Sequence, residues 1–150
     1  MQSNDYSIAR WVSILYRYGQ SYINKKLELY NIGSGQYIFL FALYRCDGVS
    51  QEELSDYLKI DKTTTAKAIK KLEIEGYVTR SVDDNDKRAY KVFITQKALG
   101  IETIIQDVLN EWRNILSSGL SDAEKEEALL LFEKMAKNAS EYINRCNDSN

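Results

Sequence analysis

The chain contains no proline and no histidine, and only seven glycines and two cysteines in 150 residues. Without proline, nothing forces a helix to break, so glycine and polar capping residues must punctuate the fold. Without histidine, the commonest general base and the commonest metal ligand are both missing. Cys46 and Cys146 are far apart and form no metal-type spacing. A disulfide framework is therefore not expected, and a reducing, cytoplasmic setting is the default. The longest apolar run, Tyr37 to Tyr44, falls far short of the ~20 residues that span a bilayer. The start, Met1-Gln2-Ser3-Asn4-Asp5, has no basic segment leading into an apolar one, so no signal peptide and no membrane partner are expected. There is no Gly-rich phosphate loop, nucleophile elbow or metal-ligand cluster, and neither an enzyme nor a cofactor is expected.

What is present is a basic segment inside an acidic chain. Between Lys59 and Lys97 stand ten Lys/Arg and six Asp/Glu, a net of +4; the remainder carries a net of −6. That asymmetry suits a localised phosphate-facing surface, although a merely solvated face would look the same.

Periodicity gives the order helix, helix, short helix, helix, hairpin, helix, helix. Ile8, Trp11, Val12, Leu15, Tyr18, Tyr22, Ile23 and Leu27 recur at helical spacing over about Asp5 to Tyr30, with Asn4 as N-cap. Ser34 can cap a second helix to about Arg45, apolar nearly all round and so buried. Ser50-Gln51-Glu52-Glu53 is a capping box opening a short helix to about Leu58. Asp61 caps the next helix, which Gly76 stops. Tyr77–Ser81 and Ala89–Ile94 then alternate as strands around the polar loop Val82–Arg88. A long helix follows Thr95 and ends at Ser117-Ser118-Gly119. A second capping box, Ser121 to Glu124, opens the last.

The functional signal lies between Ser50 and Ile94. A short capped helix, a tight turn and a second helix form a helix-turn-helix pair. At about 100° per residue, Thr65, Ile69 and Leu72 face the core. Thr63, Lys67 and Lys70 then point outward, with Thr64 and Lys71 at the flanks and Lys62 at the start. Short hydroxyls and lysines on such a face suit base edges and phosphates of duplex DNA. No carboxylate interrupts the helix until Glu73 and Glu75. At the hairpin tip, Arg88 beside Lys87 suits a narrow minor groove, with Asp86 able to orient the guanidinium. A local surface ion pair is the plainer alternative for Asp86 and Arg88.

The stretches "SQEELSDYLKID", "TTTAKAIKKLEIEGYVTRSVDDNDKRAYKVFIT" and "TQKALG" resemble the MarR (multiple-antibiotic-resistance regulator) family over Leu54–Gly100. The resemblance implies a mainly α fold with a small β-hairpin wing, a winged helix-turn-helix with long N- and C-terminal dimerisation helices. It implies one domain over 1–150, with a DNA-binding lobe at 31–98 and a helical dimerisation region at 1–30 and 99–146. It implies a homodimer on a pseudo-palindromic operator, in the manner of a repressor. Thr63, Thr64, Lys67 and their neighbours would lie in the recognition helix, and Asp86 and Arg88 in the wing. It further implies a small aromatic effector between the two regions. Trp11, Tyr16, Tyr18, Tyr22, Tyr30, Tyr37 and Tyr44 could line such a pocket, but aromatics at helical spacing more often form core. The chain departs from the family where Lys62-Thr63 opens the recognition helix in place of proline or serine. It also lacks the histidines of zinc-sensing branches and the early cysteine of peroxide-sensing ones. The rival reading is a winged-helix protein-interaction module that binds no nucleic acid.

Overall fold

The computed structural model describes residues 7–82 and 90–148. Its elements are helix α1 (Ile8–Leu27), a single 3-10 turn (Glu28–Tyr30), α2 (Tyr37–Leu43), strand β1 (Val49–Ser50), α3 (Gln51–Leu58), α4 (Lys62–Ile74), β2 (Val78–Val82), β3 (Tyr90–Ile94), α5 (Gln96–Leu99), α6 (Glu102–Leu116) and α7 (Asp122–Asp148). The chain forms two compact units, residues 1–112 and 113–150. No helix among the described residues is long and apolar enough to cross a membrane.

In the first unit, Leu27, Phe39, Leu40, Leu43, Leu54, Ile69, Leu72, Tyr77, Val78, Val92 and Ile105 are buried and form one apolar core. Contributions from α1, α2, α3, α4, both long strands and α6 meet there, so the hairpin packs on the helices that precede it. At α4 the expected phase holds: Thr65, Ala68, Ile69 and Leu72 are buried, whereas Thr63, Thr64, Lys67, Lys70 and Lys71 are exposed.

The caps explain most boundaries. The Ser50 box forms in both directions, with Ser50 N–H donating to Glu53 Oε2 at 2.6 Å and Glu53 N–H to Ser50 Oγ at 3.1 Å. At the end of α4, Gly76 adopts φ +76°. Its N–H donates to the Glu73 carbonyl and that of Tyr77 to the Leu72 carbonyl, a paired C-terminal closure that requires the left-handed residue.

Several expectations need correction. The N-cap of α1 is Ser7, whose Oγ accepts from Arg10 N–H at 3.2 Å; Asn4 lies outside the described residues. Ser34 does not cap α2, which starts only at Tyr37; its N–H is taken by Asn24 Oδ1 at 2.6 Å. The helix after Thr95 is two helices. Thr95 caps only the short α5, and the chain re-enters helix at Glu102 after Gly100-Ile101. The hairpin is also not alone. β1 pairs with β3 through Val49↔Val92 and Ser50↔Lys91, giving a three-stranded antiparallel sheet in the order β1-β3-β2. Asp47 Oδ1 accepts the Ile94 N–H at 2.8 Å and closes the edge of that pairing.

The second unit holds the end of α6 and α7. Its Ser121 box also closes in both directions, through Glu124 Oε2 and Ser121 Oγ. Along α7, Leu129, Leu130, Leu131, Phe132, Tyr142 and Ile143 are all exposed.

Candidate nucleic-acid interface

The turn between α3 and α4 fixes how the second helix is presented. Lys59 takes a left-handed conformation (φ +56°), and the Ile60 N–H returns to the Ser55 carbonyl at 3.1 Å. The buried Ser55 hydroxyl donates to the Ile60 carbonyl, so both backbone groups of Ile60 are held by Ser55. A non-glycine residue in that region costs about 1–2 kcal/mol, which the tight reversal imposes at Lys59.

Asp61 then caps α4. Its Oδ1 accepts the Thr64 N–H at 2.8 Å and its Oδ2 accepts the Thr64 hydroxyl at 2.7 Å. Those hydrogen bonds hold the Asp61 carboxyl below its usual range. The Thr64 hydroxyl therefore has its proton occupied and can offer only its lone pairs outward. Lys62 is likewise engaged: its ammonium pairs with Glu52 on α3, which raises its pKa.

The described residues of α4 anticipated from the sequence thus differ in how far the fold engages them. Lys62 and Thr64 are occupied within the fold. Thr63, Lys67 and Lys71 are exposed, and no side-chain hydrogen bond or ion pair ties them to the rest of the described residues. Lys70 is exposed near Glu73, whose carboxyl is held below its usual range first by hydrogen bonds from Arg80 and least by the Lys70 charge. Asp86, Lys87 and Arg88 lie outside the described residues.

Among the described residues the β2–β3 ladder runs from Val78↔Ile94 to Val82↔Tyr90. Between these ends, Arg80 lies opposite Val92 and reaches Glu73 of α4. Its Nε and Nη2 donate to Glu73 Oε2 at 3.0 and 2.6 Å. Spacing alone places Arg80 in a strand and Glu73 near a helix end; the contact between them joins two elements, which spacing does not reveal.

The aromatic residues of α1 and α2 do not form one enclosure. Trp11, Tyr16 and Tyr18 are half or more exposed. Tyr22 stacks on Trp112 with centroids 5.2 Å apart. The Tyr44 hydroxyl donates to the Ala98 carbonyl at 2.7 Å. The Tyr30 carbonyl accepts from the Tyr77 hydroxyl at 2.8 Å. A cavity of about 260 Å³ opens elsewhere, lined by Ala42, Arg45, Cys46, Val49, Glu53, Leu54 and Tyr57.

A helix-turn-helix whose second helix bears an exposed basic face, followed by a small antiparallel sheet, defines a winged helix-turn-helix protein. The sequence profile of the MarR family matches residues 30–89. YybA of Bacillus subtilis (strain 168), named as an uncharacterized HTH-type transcriptional regulator, is 30% identical over 93% of this chain and 95% of its own. The crystal structure of a MarR transcriptional regulator from Methanosarcina mazei Go1 superposes with a TM-score of 0.84 at 50% identity, over 90% of this chain and 97% of that one. A MarR family regulator from Listeria monocytogenes, solved in complex with a 26mer DNA, has a TM-score of 0.83 at 28% identity, over 90% of each chain. The chain belongs to the MarR family of transcription regulators, and it is not an enzyme.

Proposed function

We propose that the chain is a homodimeric repressor that binds a pseudo-palindromic operator in duplex DNA. The observation that carries this reading is the two-sided character of α4. Thr65, Ala68, Ile69 and Leu72 are buried on one side, while Thr63, Lys67, Lys70 and Lys71 stand exposed on the other. A helix held by its apolar side with hydroxyls and ammonium groups outward suits the major groove. Lys67 and Thr63, near its N-terminal end, are placed for base edges. Lys70 and Lys71 suit phosphates, and Lys62 and Thr64 support the helix start. Asp86, Lys87 and Arg88 are assigned to the wing, with Arg88 in the minor groove. Residues 31–98 are the DNA-binding lobe, and 1–30 and 99–146 the dimerisation region.

The second copy is supported by what α1 and α7 leave uncovered. Ile8, Trp11, Val12 and Leu15 form a helical stripe on α1 with exposures of 64%, 50%, 44% and 38%. Contiguous exposed apolar surface of this kind marks an interaction face. A two-fold dimer would set two recognition helices roughly 34 Å apart, one turn of DNA. A small aromatic effector would release the operator by preferring a different spacing of those helices; no residue is assigned to it.

Fluorescence anisotropy on DNA from upstream of the chain's own gene, across a salt series, tests the reading. Binding that exceeds scrambled DNA and falls steeply with salt supports it. Equal, weak binding to both with a flat salt response would favour a protein-interaction module instead.

A further inference from the structure

We propose that Glu73, Arg80 and Tyr90 form a brace that sets the angle between the recognition helix and the wing, and that Arg80 is a positioning residue for DNA binding. The inference rests on the DNA-binding reading above and adds a residue that touches no DNA itself.

Arg80 faces Val92 across the β2–β3 ladder, so the two side chains leave the same side of the sheet. Val92 and Val78 on that side are buried in the core. A strand filling this row for packing alone would continue with another apolar residue. Here the row continues with an arginine, and the arginine turns to the last turn of α4. Both Nε and Nη2 donate to Glu73 Oε2, charge-assisted contacts of the stronger kind. The guanidinium also lies over the Tyr90 ring, with Cζ 5.3 Å from its centroid. Tyr90 opens β3, and its partner Val82 closes β2, so Val82↔Tyr90 is the last pair of the ladder among the described residues. One planar cation therefore joins three elements: the end of α4, the middle of β2 and the start of β3.

The position of this contact matters more than its strength. A surface ion pair contributes little to stability, and these side chains are 28% and 34% exposed. A recognition helix and a wing, however, enter adjacent grooves and must do so together. A hairpin that swings at its far end loses the second contact although both elements remain folded. An ammonium could replace the charge of Arg80 but neither its two-donor edge nor its flat face.

Arg80→Lys and Glu73→Gln would be compared with the unaltered chain by anisotropy, hydroxyl-radical footprinting and methylation protection of guanine N7. Urea unfolding and sedimentation would establish that each variant is folded and associated as before. The expected result is an affinity loss of about tenfold, the size of one lost DNA contact. Minor-groove protection at the site flanks should disappear while guanine protection within each half-site persists. The exchanged pair Glu73→Arg/Arg80→Glu should recover part of the flank protection. Flank protection and affinity unchanged within twofold would overturn the brace while leaving the DNA-binding reading intact, as would equal loss in both grooves. Failure of the unaltered chain to protect any DNA would overturn both, and would show before any variant is made.

Discussion

The helix-turn-helix and the terminal helices treat their apolar residues in opposite ways. On α4, Ile69 and Leu72 are 0% and 1% exposed; on α1, Ile8 and Trp11 are 64% and 50% exposed, and Leu130 on α7 is 67% exposed. The apolar periodicity of α1 and α7 is no weaker than that of α4. Helical spacing therefore shows that a face is meant to be covered without showing by what. The core around α4 is closed within the first unit, by α2, α3, the sheet, the end of α1 and the start of α6. The stripes of α1 and α7 stay exposed, and the proposed second copy would cover them.

The most disruptive way to break this comparison is to charge the uncovered stripes. Trp11→Glu and Leu130→Glu should leave helix content and the lobe core intact, because neither side chain is buried. They should convert a dimer to a monomer in sedimentation. With one half-site contact in place of two, operator affinity should fall roughly 10²–10⁴-fold, the usual advantage of linked binding. A variant that stays dimeric and binds normally would show that these stripes face something else.

Inside the lobe, two glycines at positive φ sharpen the comparison from the other side. Gly48 has φ +71°, and a Cβ there would stand 2.8 Å from Phe93 Cε1. Gly76 has φ +76°, but a Cβ there meets only Lys97 Cδ at 4.0 Å. Gly76→Ala should carry only the conformational cost, about 1–2 kcal/mol. Gly48→Ala should add an overpacking cost of about 1–3 kcal/mol, because the Phe93 ring must shift. Urea denaturation should rank Gly48→Ala as clearly the more damaging. Equal costs would mean that the ring yields freely and that the β1–β3 edge is loosely held.

The outer face of α4 divides again by role. Lys67→Ala should weaken operator binding by about 1–3 kcal/mol and narrow the margin over scrambled DNA, as expected for a base contact. Lys71→Ala should weaken both DNAs alike and reduce the salt slope by about one. If both variants act alike on the two DNAs, Lys67 reads phosphates, and specificity lies elsewhere on the helix or wing.

Much of the fold is legible in the sequence because its signals are local. The Ser50 and Ser121 boxes, the Asp61 cap, the Gly76 stop and the buried phase of Thr65, Ile69 and Leu72 each depend on residues within about one helical turn. What escaped is what depends on distance or brevity. β1 is two residues long, too short to show alternation, and exists only because Val49 meets Val92. The break between α5 and α6 is hidden because Ile101, Ile104 and Ile105 continue an apolar period across it. Lys59 and Asn31 adopt left-handed backbone without glycine to announce it. The engagement of Lys62 by Glu52 and of Glu73 by Arg80 joins residues on different elements, which composition and spacing do not reveal.

The smallest expected effect lies on the buried face of α4. Thr65 is fully buried, and its hydroxyl has no hydrogen-bond partner among the described residues. A buried hydroxyl without a partner costs about 1–3 kcal/mol, whereas its methyl group fills core volume like any other. Valine has nearly the same shape and removes the oxygen. It also carries a helix propensity close to that of threonine, so the backbone term should cancel. Thr65→Val should therefore stabilise the chain, by about 1 kcal/mol or less once the imperfect overlap of hydroxyl and methyl is allowed for. The urea midpoint should rise with an unchanged slope, and operator affinity should not move, because the side chain points away from the DNA face. A fall in stability would mean that the hydroxyl does find a partner. A loss of DNA binding at full stability would mean that the helix presents a different face from the one described.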